Sequence, residues 1–275
     1  MYWCSDASKT SLWYQDQGVG IPLVLIHGWC MSSDIWNLQV PELAKSFRII
    51  TVDLPGHGKS IPLEGGFSIK GCAEAIADLT VHLDLQCAVL AGWSLGSQVA
   101  VTMVNRIRKR LSGLVLIAAT PRFTRTDEYP YGLSLAEAEG MALKVRRNST
   151  RARDGFIANM FTQDELHNTL RTTQVQDLLA SIPFPESAAA LQALQALVDA
   201  DLRDVLPRIA LPTLLIHGDM DVICPPDVSD FMAGLIPRAR RILFSACGHA
   251  PFLSQPQQFN ACMKDFLEHV SENCE

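Results

Sequence analysis

The chain has 275 residues, of which 48% are hydrophobic and 19% charged, and this composition excludes a disordered protein. The formal net charge is −6, which gives no electrostatic reason to expect binding to nucleic acid or to an anionic membrane. The eight cysteines are scattered without metal-site spacing, and no apolar run reaches the roughly 18 residues of a membrane span. We therefore expect a cytoplasmic protein, a monomer, without metal or cofactor.

Strand-like and helix-like segments alternate along most of the chain. Strands are predicted near 12–16, 21–26, 47–52, 87–91, 113–118, 213–217 and 240–244. Helices are predicted near 70–84, 95–109, 227–235 and 256–271. This alternation predicts an α/β fold in which helices flank a mostly parallel central sheet.

The strand pattern stops between Thr120 and about Asp204, where the sequence becomes helical and rich in Ala, Leu and Gln. We predict a helical cap over residues 121–204, inserted between two parts of one core, 1–120 and 205–275. A cap of this kind covers a site and shapes its pocket, so substrate choice is expected to depend on it.

Gly92-Trp93-Ser94-Leu95-Gly96 has the pattern G-x-S-x-G between a predicted strand and a predicted helix. That context is typical of a nucleophile elbow, in which a sharp turn exposes a serine hydroxyl beside a base. Small residues at both ends of the pattern let the backbone make the turn. Ser94 is therefore the predicted nucleophile.

An acid and then a histidine are expected downstream of the nucleophile. A buried strand leads into Gly218-Asp219-Met220-Asp221, and we favour Asp221 as the acid, with Asp219 as the alternative. His249 follows the last strand in a loop flanked by glycine and proline, and it is the predicted base. Four other histidines are expected to be ordinary surface or strand-end residues: His82, His167, His217 and His269.

Two backbone amides are expected to form an oxyanion hole. One is the amide of Leu95, directly after the nucleophile, and the other is that of Trp29, in the loop after the strand near 21–26. His27 in the same loop is expected to hydrogen-bond the loop backbone rather than to transfer a proton.

Several of these segments together resemble the α/β-hydrolase superfamily over nearly the whole chain. The segments are His27-Gly28-Trp29, Asp53-Leu54-Pro55-Gly56-His57-Gly58-Lys59-Ser60, the elbow and the Gly248-His249 loop. The resemblance implies an α/β-hydrolase fold with an inserted cap. A serine at the elbow argues against dehalogenase and epoxide hydrolase chemistry, for which relatives carry aspartate there.

The predicted cap contains a basic cluster in a chain that is acidic overall. Five basic residues fall within ten positions that contain no acid, and three more arginines lie elsewhere in the cap: Lys144, Arg146, Arg147, Arg151 and Arg153, then Arg122, Arg125 and Arg171. The cluster is either a solvated helix face or a docking surface for an acidic partner. The neighbouring residues Phe156, Ile157 and Met160 form an apolar stripe, which either packs in the core or walls a tunnel for an aliphatic chain.

A closer resemblance spans both the core and the cap. The segments that carry it are the elbow, His27-Gly28-Trp29, Val52-Asp53-Leu54-Pro55-Gly56, Pro121-Arg122-Phe123 to Asp127-Glu128-Tyr129-Pro130, Ile182-Pro183-Phe184-Pro185 and His249-Ala250-Pro251-Phe252. They look like those of the esterases of biotin synthesis that act on pimeloyl-acyl carrier protein methyl ester. One departure is Ser97, at a position where that family tends to carry glycine.

That resemblance implies hydrolysis of the methyl ester to methanol, with acyl carrier protein as the partner. It implies a substrate site that combines the catalytic and oxyanion residues with one cap segment: Trp29, Ser94, Leu95, Phe156, Ile157, Ala158, Asn159, Met160 and His249. It also implies that cap arginines grip the acidic carrier: Arg122, Arg146, Arg147, Arg151 and Arg153. Two other functions stay open, a general carboxylesterase or thioesterase for free esters and a ligand sensor built on a hydrolase fold.

Overall fold

The computed structural model describes residues 1–5, 10–168 and 173–272. Within this part of the chain, eight strands form one sheet: β1 (Tyr2–Ser5), β2 (Thr10–Gln17), β3 (Pro22–Ile26), β4 (Arg48–Val52), β5 (Ala88–Trp93), β6 (Leu111–Ile117), β7 (Thr213–Gly218) and β8 (Ala239–Phe244). Their order across the sheet is β1-β2-β4-β3-β5-β6-β7-β8. Strands β3 to β8 pair in parallel, whereas β1 and β2 join antiparallel at one edge. The predicted mostly parallel sheet is therefore confirmed.

Helices accompany the sheet along the chain. They are α1 (Val40–Leu43), α2 (Ile69–His82), α3 (Leu95–Ile107), α4 (Leu135–Arg147), α5 (Ser149–Asn159), α6 (Gln163–Asn168), α7 (Thr173–Ser181), α8 (Ser187–Asp199), α9 (Asp227–Leu235), α10 (Pro251–Ser254) and α11 (Pro256–Ser271). Helices α2 and α3 pack against each other, and α3 contacts β5 and β6. Helix α11 contacts α1, α10 and β6. The sheet is thus covered by two groups of helices.

The central strands are apolar because they are covered on both sides. Every residue of β3, β5 and β7 is buried, which explains why these segments read as continuous hydrophobic runs rather than as alternating ones. All seven predicted strands and all four predicted helices are present, with ends shifted by a few residues. Strand β1 is not predicted from the sequence, because Tyr2 is exposed in this four-residue edge strand and no apolar run marks the element.

Five helices, α4 to α8, lie between β6 and β7, where the sequence predicts an insertion. The two ends of this segment meet, because the Leu202 N–H donates to the Pro121 carbonyl over 2.9 Å and Arg122 pairs with Asp201 at 2.8 Å. Helix α4 packs on α5 and α8. The inserted helices therefore leave and rejoin the core at one place.

None of the helices in the described ranges combines the length and the apolar character that crossing a membrane would require.

Helix α3 begins directly where β5 ends, and it passes very close to the end of β3. A Cβ atom on Gly96 would lie 2.4 Å from the Ile26 carbonyl oxygen and 2.5 Å from that of His27. Both obstacles are backbone atoms, so they cannot turn away as a side chain can. Gly140 in α4 is different, because a Cβ atom there would meet nothing within 4 Å.

We expect Gly96→Ala to lower the free energy of unfolding by about 1–3 kcal/mol, because the helix must move away from β3. Gly140→Ala is the matched control and should be neutral or stabilising by up to about 1 kcal/mol, since alanine is the better helix former. Urea unfolding of both variants measures the difference. Equal effects at the two positions would contradict the close approach at Gly96.

Candidate active site

Ser94 lies at the turn between β5 and α3 with φ 54° and ψ −117°. A non-glycine residue rarely adopts a positive φ, and such strained residues cluster at functional sites. The turn is possible because a Cβ atom on Gly92 would lie only 2.3 Å from the Gly96 carbonyl oxygen, so glycine is required there. The backbone at Ser94 thus has the sharp strand-to-helix turn that the sequence pattern predicts.

Ser97 occupies the position where the sequence departs from the resembled family. Its buried hydroxyl donates to the carbonyl of Ser94. The hydroxyl is therefore satisfied within the first turn of α3, and it leaves the turn at Ser94 in place.

The two amides expected to face an oxyanion belong to residues that flank Ser94. Leu95 is the first residue of α3, so its N–H has no acceptor inside the helix, and it lies at the positive end of the helix dipole. Trp29 follows Gly28, where a Cβ atom would lie 3.3 Å from the Cβ of Ser94. Both predicted oxyanion residues are thus next to the serine.

His249 and Asp221 form a buried pair. The His249 Nδ1–H donates to Asp221 Oδ2 over 2.7 Å, and both side chains are fully buried. Asp221 Oδ1 accepts the N–H groups of Ile223 and Cys224 at 2.8 and 3.0 Å. His249 Nε2 is buried, and within the described residues it has no hydrogen-bond partner. This tautomer leaves the Nε2 lone pair free to accept a proton.

The alternative acid, Asp219, is placed differently. It is exposed, and its Oδ1 accepts the Cys247 N–H over 3.2 Å. It therefore supports the loop that precedes His249, whereas Asp221 contacts the imidazole itself.

His217, which the sequence predicts only as an ordinary strand-end residue, also lies beside this pair. Its Nε2 is 2.7 Å from the Cys224 carbonyl and 3.2 Å from Asp221 Oδ2, in a fully buried position. Burial by itself raises the pKa of Asp221, but the charge of His249 and the hydrogen bonds from His217 and His249 outweigh it and hold that pKa well below its usual range. The sequence signal that could have indicated this role is a histidine near the end of the otherwise apolar strand β7.

Trp93 links the elbow to the loop of the histidine. Its indole Nε1–H donates to the His249 carbonyl over 2.9 Å, and the two rings lie 5.5 Å apart. The residue before Ser94 therefore fixes the main chain of His249.

The loop after β3 is held by His27, as the sequence predicts. Its Nδ1–H donates to the Gly28 carbonyl over 2.8 Å, and its Nε2 accepts the Leu54 N–H over 2.9 Å. Asp53 supports the same region, because its two carboxylate oxygens accept the N–H groups of Ser33 and Lys59. Burial lowers the pKa of His27 to about 4. This imidazole is thus a neutral part of the loop.

A cavity of about 650 Å³ lies between the core and the inserted helices. Its wall contains Trp29, Leu133, Met141, Lys144, Arg147, Asn148, Arg151, Ala152, Gly155, Phe156, Asn159, Val222 and Ile223. The cavity adjoins the buried Asp221–His249 pair, because the lining residue Ile223 donates its N–H to Asp221. Another lining residue, Trp29, follows Gly28, which lies beside Ser94. Aromatic and aliphatic side chains thus share this wall with three cations.

The predicted substrate segment is divided by the structure. Phe156 and Asn159 line the cavity, and the Phe156 ring meets Trp29 edge to face at 4.9 Å. Ile157 and Ala158 are not among its lining residues. Met160 is fully buried, and its carbonyl accepts the His249 N–H over 2.8 Å.

The predicted docking arginines also divide into two groups. Arg147 and Arg151 are exposed and line the cavity, and Arg146 is exposed beside them. Arg122 pairs with Asp201, and Arg153 donates to the Leu179 carbonyl, so these two guanidinium groups are engaged within the protein. Arg171 lies outside the described residues.

Comparison with known proteins identifies the family. Residues 21–256 match the model of the alpha/beta hydrolase fold. The pimeloyl-[acyl-carrier protein] methyl ester esterase of Nitrosomonas europaea is 36% identical over 252 residues, which cover 92% of this chain and 98% of that protein. The protein of the same name from Aeromonas hydrophila is 34% identical, over 91% and 96% of the two chains.

The chain belongs to this esterase family of α/β-hydrolases. Solved structures of other α/β-hydrolases are similar as well. An esterase from Exiguobacterium antarcticum superposes with a TM-score of 0.88 at 28% identity, covering 97% of this chain and 98% of its own. A bromoperoxidase from Bacillus anthracis gives 0.87 at 26% identity, over 94% and 96% of the two chains. In this α/β-hydrolase the described residues contain no group of three or more His, Cys, Asp or Glu side chains that could hold a metal ion.

We expect Asp221→Asn to reduce kcat by about 10³–10⁴-fold, because an amide no longer selects the imidazole tautomer with Nε2 free. Asp219→Asn is the control and should cost less than about tenfold, because the amide oxygen can still accept the Cys247 N–H. Hydrolysis of a p-nitrophenyl ester measures both. A larger loss for the Asp219 variant would reverse the assignment.

The two buried imidazoles beside the site predict a pH dependence of stability. Burial lowers the pKa of His57 to about 3, and that of His27 to about 4, whereas both rings titrate near about 6.5 in the unfolded chain. Protons therefore bind preferentially to the unfolded state as the pH falls. Above about pH 6.5 the two imidazoles therefore do not reduce the free energy of unfolding. As the pH drops from about 6.5 towards their folded-state pKa values, the free energy of unfolding falls progressively.

We expect His57→Phe, which keeps a ring between His27 and Phe67, to flatten this dependence by about 1–3 kcal/mol between about pH 6.5 and 4.5. Urea unfolding at several pH values measures it. His82→Gln, at the exposed end of α2, should keep the wild-type dependence. A wild-type slope that His57→Phe leaves unchanged would refute the contribution of His57.

Proposed function

We propose that the protein is a serine esterase that hydrolyses the methyl ester of pimeloyl-acyl carrier protein to methanol and the free acid. The observation that carries this proposal is the similarity to curated enzymes of that name over more than nine-tenths of the chain. It is supported by a buried Asp221–His249 pair, by the turn at Ser94, and by a cavity of mixed apolar and basic character. The activity belongs to biotin synthesis.

In the proposed first step, His249 Nε2 takes the hydroxyl proton as Ser94 Oγ attacks the ester carbonyl carbon. The imidazolium, stabilised by Asp221, then gives that proton to the departing methoxy oxygen, and methanol leaves. In the second step, His249 takes a proton from water, which attacks the acyl-enzyme. The proton returns to Ser94 Oγ as the acid is released.

The negative charge that develops on the carbonyl oxygen falls beside the N–H groups of Leu95 and Trp29. In comparable sites each such donor contributes roughly 3 to 4 kcal/mol to the stabilisation of the transition state. The turn at Ser94 and the close packing at Gly28 support this role, because they fix both amides before substrate arrives.

Residues 121–204 are proposed to act as the cap of the site. Three of their cations, Lys144, Arg147 and Arg151, line the cavity, so an acidic carrier protein would meet positive charge at the entrance to the acyl site. Trp29 and Phe156 provide an apolar wall for the aliphatic chain between the carrier and the ester. Arg146 is exposed next to Arg147 in the sequence and adds to this positive charge, whereas Arg122 and Arg153 bond within the protein and are proposed to stabilise the cap rather than to bind the carrier.

A second candidate is a general esterase for free small esters. The structural similarity to an Exiguobacterium antarcticum esterase favours it, because that protein shares the fold at 28% identity. The two functions use the same catalytic residues, so only the choice between carrier-bound and free esters separates them.

We expect wild type to release methanol from pimeloyl-carrier methyl ester with a much higher kcat/KM than it hydrolyses p-nitrophenyl acetate. Reversing both Arg147 and Arg151 to glutamate should lower kcat/KM for the carrier substrate at least about tenfold, with a much smaller effect on the free ester. Added salt should weaken the carrier reaction of wild type as well, because it screens exposed charges.

Two controls complete this experiment. Arg108→Glu reverses an exposed charge just before β6, at the amino-terminal end of the parallel strands, whereas Ser94 lies at their carboxyl end. This variant should leave the carrier reaction intact. Ser94→Ala should abolish both reactions in a folded protein. Equal turnover of both substrates, unaffected by the charge reversals, would favour the general esterase.

A further inference from the structure

A short segment of the inserted helices holds the main chain of the His249 loop. It runs from the end of α5 to the first turn of α6, and it makes two hydrogen bonds to successive residues of that loop. The His249 N–H donates to the Met160 carbonyl over 2.8 Å. The Gly248 N–H donates to Glu165 Oε2 over 3.0 Å. The loop is thus bonded to a part of the chain that lies outside the parallel sheet.

Glu165 has a local structural role that could explain its presence. Its Oε2 accepts the Thr162 N–H over 2.6 Å, and its own N–H donates to Thr162 Oγ1 over 3.1 Å. This reciprocal pair is a capping box at the start of α6.

A second capping box in the same chain shows that the local role does not require burial. At the start of α4, Ser134 and Glu137 form the same reciprocal pair, and the Glu137 side chain is 55% exposed. Glu165 is only 7% exposed, and its Oε1 is buried without a hydrogen-bond partner among the described residues. Burying a carboxylate is unfavourable unless new hydrogen bonds offset the loss of water. The bond to Gly248 is the contact that Glu137 lacks.

The loop approaches this segment as closely as a backbone can. A Cβ atom on Gly248 would lie 2.5 Å from the Met160 carbonyl oxygen and 3.1 Å from Glu165 Oε2. Burial first, and then the charge of the nearby Glu165 carboxylate, raises the pKa of the Cys247 thiol. Two consecutive loop residues, Gly248 and His249, are therefore bonded to the Met160–Glu165 segment.

We propose that Glu165 is a positioning residue for the base, whose carboxylate oxygen fixes the loop that carries His249. The inference rests on the proposed role of His249 as the general base. Asp221 and the Trp93 ring contact the imidazole, Met160 and the Trp93 indole bond the His249 backbone, and Glu165 bonds the backbone of Gly248 before it. Displacement of the loop would move Nε2 relative to Ser94 Oγ, and proton transfer depends steeply on such distances.

Three substitutions of Glu165 test separately whether the role of this side chain depends on its oxygen acceptor, on its negative charge or on its length. Glu165→Gln keeps an oxygen acceptor without the charge. Glu165→Met keeps a similar volume without an acceptor. Glu165→Asp keeps the charge but is one methylene too short to bond both Thr162 and Gly248. The matched control is Thr162→Val, which removes the other half of the same capping box and leaves the bond to Gly248.

The full-length variants are compared in hydrolysis of p-nitrophenyl acetate and in the rate at which a fluorophosphonate probe labels Ser94. We expect Glu165→Met and Glu165→Asp to lower kcat and the labelling rate by between about tenfold and a hundredfold, with KM nearly unchanged. Glu165→Gln should recover activity to within about threefold of wild type, because its oxygen accepts the Gly248 N–H. Thr162→Val should keep both rates while lowering the melting temperature, because it loses one hydrogen bond of the capping box.

The proposal is overturned if Glu165→Met loses no more activity than Thr162→Val, if Glu165→Gln is as impaired as Glu165→Met, or if only KM changes. Should Glu165→Met fail to fold, the order of Glu165→Gln above Glu165→Asp decides, and the reverse order overturns it. Different measurements would contradict the proposed function itself. It would appear as missing turnover of the carrier ester by wild type, or as free-ester activity retained by Ser94→Ala.

Discussion

The close passage of α3 over the end of β3 is the constraint on which the site depends. The chain reverses at Ser94 between a strand and a helix, and it does so at a positive φ that serine adopts only under strain. Glycines at 92 and 96 permit the turn, because any side chain there would collide with backbone atoms. The packing of the central strands, which are wholly buried, stabilises this strained backbone conformation. The position of Ser94 is thus fixed by the packing of the strands and the helix around it.

The other functional groups reach Ser94 because parallel strands end at one edge of the sheet. The loops after β3, β7 and β8 carry Trp29, Asp221 and His249 to that edge. Each loop is fixed by its own hydrogen bonds: His27 to Leu54, Asp221 to Ile223 and Cys224, and Trp93 to the His249 carbonyl. A preformed arrangement of this kind lowers the cost of reorganisation when charge develops in the transition state.

The inserted helices are joined to the same loops. The Trp29 indole N–H donates to the Ala190 carbonyl in α8 over 2.9 Å, and Glu165 and Met160 bond the His249 loop. The insertion therefore contacts both the loop of Trp29 and the loop of His249. A sequence change in the insertion therefore falls next to Trp29 and His249, the residues proposed to supply an oxyanion amide and the base.

The sequence by itself determined the parallel strands, the elbow pattern at Ser94 and the chain order of the predicted nucleophile, acid and base, because hydrophobic periodicity and turn residues are local properties. It left Asp219 and Asp221 as alternatives, since two acids in one loop differ only in which one reaches the imidazole. Only the tertiary structure decided that contact, in favour of Asp221. It also separated exposed Arg147 and Arg151 from the engaged Arg122 and Arg153, and it brought Glu165 to a loop 83 residues away in the chain. Contacts between distant segments depend on packing in three dimensions, which no single stretch of sequence encodes.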